Sequence, residues 1–190
     1  MPPPRNPFSQ VGLPVLSPTR REFPLLVADI GGTHVRFGWV GAAADPLRDI
    51  RVYRCAEFVS PIAAATRYLQ ELAVDAPSRV AVAVASFVTD GPIKLTNSDW
   101  VFDAKAFSAH FDDARVEVFN DFEAIALVLP YLGPGEFQLV GAPAPLQTLT
   151  MAVIGPGTGL GVGGIVPLRG EADAWQSVCG EGGHTTIPGA

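Results

Sequence analysis

Five short segments, rich in glycine or polar residues, carry the side chains best placed to do chemistry. The first is Asp29-Ile-Gly-Gly-Thr33. Glycines lack a Cβ, so the backbone N–H groups of such a turn can approach an anion such as phosphate. Thr33 adds a hydroxyl, and Asp29 at a strand end could hold a hydrated Mg²⁺ near phosphates. On local grounds alone an ordinary β-hairpin turn is the safer reading. The segment is neither G-x-G-x-x-G opening a helix nor G-x-x-x-x-G-K-[ST], which disfavours both of those phosphate-binding folds. Gly155-Pro-Gly-Thr-Gly-Leu-Gly161 is a second candidate cradle. Its plain alternatives are a flexible hairpin or glycine needed for close strand packing. As a pair, the two loops could grip opposite sides of a triphosphate.

Asn120-Asp121 lies between an apolar run and a helix-like segment. In α/β sheets ligands collect at the carboxyl ends of strands, so an acid here is placed for catalysis. On local sequence alone the safer reading of Asp121 is a helix N-cap accepting a backbone N–H. Gly180-Glu-Gly-Gly-His184 sets a carboxylate and an imidazole three residues apart on a glycine-rich backbone. Glu181 can accept from a polyol, and His184 can donate or accept. A metal site would need further ligands nearby. The amide of Asn97, in Thr96-Asn-Ser-Asp-Trp100, could bond sugar hydroxyls.

The elements that must hold these clusters follow from periodicity. Leu25–Ile30 reads as a buried strand, Gly31–Thr33 as a tight turn, Val35–Val40 and Ile50–Tyr53 as strands. Pro61–Val74 has Ile62, Ala65, Leu69 and Leu72 at spacings of three and four, a one-faced helix with proline in its first turn. Arg79–Ala85 is a run of small apolar residues expected to be covered on both faces. Val116–Phe119 is a strand feeding a helix over about Phe122–Leu129. Thr150–Ile154 and Leu160–Val166 form a second strand–turn–strand unit, 125 residues after the first when Thr158 is set on Thr33. The alternation predicts an α/β fold with a mostly parallel core and two related domains. The expected division is a loosely attached leader at 1–22, an N-terminal domain at 23–132, and the truncated beginning of a second at 133–190.

A net charge of −6 over 190 residues argues against nucleic acid or an anionic membrane as partner. The apolar runs are far too short to span a bilayer, and the proline-rich first 22 residues lack a signal-peptide core. Cys55 and Cys179 stand outside any C-x-x-C spacing, so neither a zinc site nor a disulfide framework is implied. A reducing cytoplasm and buried or incidental thiols are expected.

In this order, ADIGGTHVRFG (28–38), LTNSDW (95–100), VFNDFEAIAL (118–127), GPGTGLGVG (155–163) and GEGGH (180–184) resemble the bacterial glucokinase family, within the sugar kinase, actin and heat-shock ATPase superfamily. The resemblance runs from about Phe23 to the chain end. It implies a ribonuclease H-like (actin-like ATPase) domain with a mixed sheet and flanking helices, plus the start of a similar one. It implies that Ala28, Asp29, Ile30, Gly31, Gly32 and Thr33 form the first phosphate loop, with Asp29 near the metal, and that Gly157, Thr158 and Gly159 belong to the second. Asp121 matches the catalytic base. Asn120, Asp121, Glu181 and His184 match residues that bond glucose, with Asn97 at the edge of that site.

ATP, Mg²⁺ and glucose are the implied ligands, glucose 6-phosphate is the implied product, and closure of two lobes would exclude water. A homodimer is left open. Ile154 stands where actin and heat-shock proteins carry a second loop Asp, which favours the sugar-kinase branch, and His34 stands where the family often has Asn. Family members continue with a further sugar-contacting Glu, an adenosine-binding segment and a returning helix, so a fragment or truncated product is expected. The alternatives are a non-catalytic glucose-binding fragment, another hexose kinase, or a regulator of the superfamily. The leader has no helix-turn-helix pattern, which argues against a repressor.

Overall fold

The computed structural model describes residues 22–95, 98–133, 135–138, 140–141, 150–156, 160–168 and 174–180. They divide into two units, one running to Asp121 and one beginning at Phe122.

The first unit is built on a five-stranded mixed sheet. β1 (Leu25–Ile30) pairs antiparallel with β2 (His34–Val40), and β2 with β3 (Arg48–Arg54). A short 3₁₀ turn at Cys55–Glu57 leads to α1 (Pro61–Leu72). That crossover returns the chain to β4 (Arg79–Val84), parallel to β1. A small hairpin, β5 (Ile93–Lys94) and β6 (Val101–Phe102), and α2 (Ala104–His110) then lead to β7 (Arg115–Asn120), parallel to β4. The sheet order is β3-β2-β1-β4-β7. Antiparallel neighbours tolerate a tight turn, whereas the parallel pairs need a longer crossover, here helical in each case.

Side-chain alternation decides which face is buried. Leu26 and Ile30 of β1 and Val80, Val82 and Val84 of β4 are fully buried. They share one hydrophobic cluster with Ala64, Ala65, Tyr68 and Leu69 of α1 and Phe107 of α2. Each buried valine contributes about 1.5–3 kcal/mol relative to exposure. Arg79, Ala81 and Ala83 on the opposite face are only half-buried. The expectation that β4 is covered on both faces is therefore corrected. Its Val and Ala residues alternate, and only the valine face is sealed. Aromatic rings complete the packing, with Phe37 and Tyr68 at 5.3 Å and Phe107 and Phe111 at 5.0 Å between centroids.

The helices begin where the chain offers caps. Ser60 Oγ accepts from Ala63 N at 3.1 Å, and Pro61 occupies the first turn of α1. Asp103 Oδ1 accepts from the N–H groups of Lys105 and Ala106 to start α2. α1 ends on Ala73, whose φ of 53° is left-handed. Its N–H reaches Gln70 O and Leu69 O, in the manner of a helix C-cap normally given to glycine.

At the lower edge of the sheet Arg79 and Arg115 are register partners on β4 and β7, an arrangement that would repel. Glu117 bridges both, through Arg79 Nη2 at 2.5 Å and Arg115 Nη2 at 2.6 Å, and Glu22 joins Arg79 Nη1 at 2.5 Å. On the β3 edge Asp49 takes a φ of 54°, and the β2–β3 register shifts between Phe37 and Trp39. β3 also carries Arg48, Arg51 and Arg54, with Ile50 63% and Val52 54% exposed.

The second unit holds α3 from Phe122 onward (α3 spans Asp121–Val128) and an antiparallel meander of order β10-β9-β8. Its strands are β8 (Met151–Pro156), β9 (Leu160–Pro167) and β10 (Trp175–Gly180). Ala126 and Ile165 are fully buried, and Ser177 Oγ donates to Glu123 Oε1 at 2.6 Å.

Two predictions follow from the helix α1 region. Glu71 accepts from Arg67 Nε, from Tyr53 OH at 2.8 Å and from Arg51 Nη1. The Arg67 bond first, then that of Tyr53, holds its carboxyl down at about 2 against an ordinary 4.5. A lowered folded-state value stabilises fully above the ordinary value and is lost as pH falls through the lower one. Wild type should therefore lose more thermal stability than Glu71→Gln on acidification from about pH 5 to about pH 2, and parallel curves would refute this. Ala73→Gly relieves a left-handed alanine and should raise unfolding free energy by about 0.5–1 kcal/mol in urea titration.

Candidate functional site

The three parallel strands end level with one another. Ile30 of β1, Val84 of β4 and Asn120 of β7 are register partners in turn. Each strand then releases a polar segment at its carboxyl end: Gly31–Thr33 after β1, Ser86 after β4, and Asp121 after β7. With strands about 4.8 Å apart, the ends of β1 and β7 lie about 10 Å apart across β4.

The turn after β1 is tied down from behind. Gly31 N donates to His34 O at 2.9 Å, closing the hairpin. Cys55 N donates to Thr33 O at 2.9 Å, and Cys55 Sγ donates to Gly31 O at 3.4 Å. Burial pushes the Cys55 thiol up, which keeps it protonated and able to donate. Two of the three bonds thus use carbonyls of the turn, those of Gly31 and Thr33, and none uses the N–H of Gly32 or Thr33.

Asp29 lies one residue before the end of β1, paired across the hairpin with Arg36. Arg36 Nη1 donates to Asp29 Oδ2 at 2.7 Å, and both side chains are about half exposed. Among the described residues no cluster of three or more His, Cys, Asp or Glu could hold a metal on protein ligands alone. A magnesium ion carried by a nucleotide asks for less, since it keeps several waters and takes one or two carboxylates with the phosphates. A single strand-end carboxylate fits that requirement.

On β7, Asn120 Nδ2 donates to Ser86 O at 3.1 Å, which orients its amide because a carbonyl can only accept. Ser86 Oγ in turn donates to Lys94 O at 3.0 Å, fastening the end of β4 to β5. α3 begins at Asp121, the next residue.

Of the expected site residues, Ala28 to Thr33, Asn120 and Asp121 therefore stand at or beside the carboxyl ends of the parallel strands of one mixed sheet. Asn97, Gly157, Thr158, Gly159, Glu181 and His184 lie outside the described residues. The flanks of Asn97 are firmly seated: Leu95 and Trp100 are buried, Leu95 N donates to Trp100 O, and Trp100 Nε1 donates to Phe58 O at 3.0 Å. Cys55, Ser86 and Arg36 are parts of this arrangement that sequence reading did not single out. Arg36 was open to detection, because a charged residue inside an apolar strand faces its hairpin partner Asp29. Nothing in the local sequence marks Cys55 or Ser86.

The model of the family described as Glucokinase matches residues 26–190. A glucokinase of Paramagnetospirillum magneticum is 42% identical over 168 residues, which cover 87% of this chain and 51% of that protein. A crystal structure of glucokinase from an Antarctic psychrotroph superposes with a TM-score of 0.75 at 33% identity, covering 88% of this chain and 52% of that one. The glucokinase of Balamuthia mandrillaris in complex with glucose has a TM-score of 0.60 at 21% identity over 86% of this chain and 49% of its own, a likeness of fold. The expected ribonuclease H-like α/β fold is the one observed. The chain spans about half the length of the curated relatives it matches. On the match of the family model over nearly the whole described sequence, the chain belongs to the glucokinase family.

Proposed function

We propose that this protein transfers the γ-phosphoryl group of ATP to the 6-hydroxyl of glucose, yielding glucose 6-phosphate and ADP. The observation that carries the reading is the level ending of β1, β4 and β7. The glycine turn and Asp121 follow strand ends that lie about 10 Å apart along one edge of the sheet. A phosphoryl group and the hydroxymethyl arm of a sugar fill a gap of that size.

In this reading Asp121 accepts the proton of the 6-hydroxyl as that oxygen bonds to the γ-phosphorus and the bridge to the β-phosphate breaks. Asn120 orients the sugar, its amide fixed by Ser86 O. Asn97, Glu181 and His184 supply further bonds to glucose, and Gly157, Thr158 and Gly159 contribute to phosphate binding. Gly32 and Thr33 offer N–H groups, and Thr33 its hydroxyl, to the phosphates. Asp29 would hold Mg²⁺ through water, and the ion supplies charge neutralisation on the phosphates. The transition state of phosphoryl transfer is loose, so positioning and charge do most of the work.

No helix among the described residues is long and apolar enough to cross a membrane. The net charge of −6 disfavours nucleic acid and an anionic bilayer as partners, and the glucokinase reading implies a cytoplasmic enzyme.

The test is coupled glucose 6-phosphate formation with ATP, Mg²⁺ and glucose. Asp121→Asn should slow turnover by roughly 10²–10⁴-fold with little change in the KM for ATP. An inactive wild-type chain whose tryptophan fluorescence still responds to glucose would support a sugar-binding role without catalysis. Absence of both activity and glucose binding would overturn the proposal.

A further inference from the structure

The glycines around the second loop do not all answer to the same need. Gly155 and Gly161 are direct partners across β8 and β9, and Gly163 follows two residues on, on the same face of β9 as Gly161. Together they leave a trough without side chains. The residue lying in it is Phe122, the second residue of α3. A Cβ on Gly161 would stand 1.9 Å from Phe122 Cε2 and 2.2 Å from both Cδ2 and Cζ. On Gly155 it would stand 3.0 Å from Phe122 Cε1. On Gly163 it would stand 2.4 Å from the backbone oxygen of Phe122 and 2.8 Å from its carbonyl carbon. Contacts under 3 Å are closer than atoms of this kind tolerate, so the ring and the peptide of Phe122 can occupy this place only because glycine lines it.

Burial and one further contact mark the same region of the helix and sheet. Ala126, one turn after Phe122, and Ile165, two residues after Gly163, are fully buried. Glu123 accepts from Ser177 on β10 at 2.6 Å. The first turn of α3 is therefore seated on the β8–β9–β10 face by a ring, a peptide and a carboxylate. Asp121 is the residue immediately before that ring.

We propose that Phe122 is a positioning residue for the phosphoryl-transfer step. Its ring and peptide, seated in the trough of Gly155, Gly161 and Gly163, set the backbone from which the Asp121 carboxylate reaches the sugar hydroxyl. The inference rests on the kinase reading given above. It assigns Gly155, Gly161 and Gly163 to the seat of α3, leaving phosphate binding to Gly157, Thr158 and Gly159.

The experiment is a double-mutant comparison on this chain. Gly161→Ala drives a methyl into the ring and should lower kcat at least tenfold, with the KM values for ATP and glucose within about threefold of wild type. Phe122→Ala should lower kcat by a similar factor. The Gly161→Ala, Phe122→Ala pair should be no worse than Phe122→Ala alone, because the ring that the methyl strikes is gone. Gly163→Ala meets the peptide of residue 122 and should gain nothing from Phe122→Ala. Thermal melting of the same variants should follow the same pattern.

A Gly161→Ala enzyme whose KM for ATP rises while kcat holds would make Gly161 a phosphate ligand and overturn the proposal. So would additive losses in the Gly161→Ala, Phe122→Ala pair. If wild type proves inactive, the kinase reading falls and the proposed catalytic role falls with it. The melting series then still reports, separately, whether the glycine seat exists.

Discussion

Everything at the candidate site depends on three parallel strands stopping at the same level. Backbone hydrogen bonds hold Ile30, Val84 and Asn120 in register, and alternating valine and leucine side chains bury the face that keeps the register from slipping. A shift of one residue would send Val80, Val82 and Val84 to the half-buried face and expose the alanines' side to the core. The same shift would move Asn120 away from the Ser86 carbonyl. Site geometry and core packing are thus one constraint. This is why residues with no chemistry of their own, in the middle of β4, decide where the polar ends lie.

The two glycine-rich segments, alike on paper, meet different physical demands. After β1, glycine permits a tight turn whose Gly31 and Thr33 carbonyls accept from Cys55. Along β8 and β9, glycine removes side chains so that an aromatic ring and a peptide can come close. In the first case the missing Cβ lets the hairpin close against the His34 carbonyl, and in the second it makes room for a neighbouring ring and peptide. A motif with four or five glycines can hold both kinds side by side, and only the neighbour that fills the vacant space tells them apart.

Most of the first unit was legible in the sequence for this reason: its strands are uniform runs of β-branched and small residues bounded by glycine, proline or a cap. β1 is found as Leu25–Ile30, as expected, and α1 begins at the expected Pro61. α2 escaped notice because seven residues give barely two turns of periodicity, although the Asp103 cap was there to be read. β10, WQSVCG, shows no alternation, and it exists because β9 offers an edge. At the site, Asp29, the glycine turn and Asn120-Asp121 could be picked out from local pattern. Cys55 could not, since its importance comes from a carbonyl 24 residues away. Ser86 holds Asn120 through its main-chain carbonyl, which no residue type announces.

The outer rim of the five-stranded sheet carries its own safeguard. β3 presents Ile50 and Val52 to solvent, and a strand edge with exposed aliphatic residues is a template on which another chain can add a strand. Here Arg48, Arg51 and Arg54 are interleaved with those residues, Asp49 turns the backbone into a left-handed conformation, and the register with β2 is broken beside it. An incoming strand would meet repelling guanidinium groups and a ladder whose donors and acceptors no longer fall in step. Neutralising Arg48 and Arg54, which keeps the Arg51–Glu71 pair, would therefore leave the fold's interior intact and yet make the protein prone to self-association in β-rich aggregates, a failure of solubility rather than of stability.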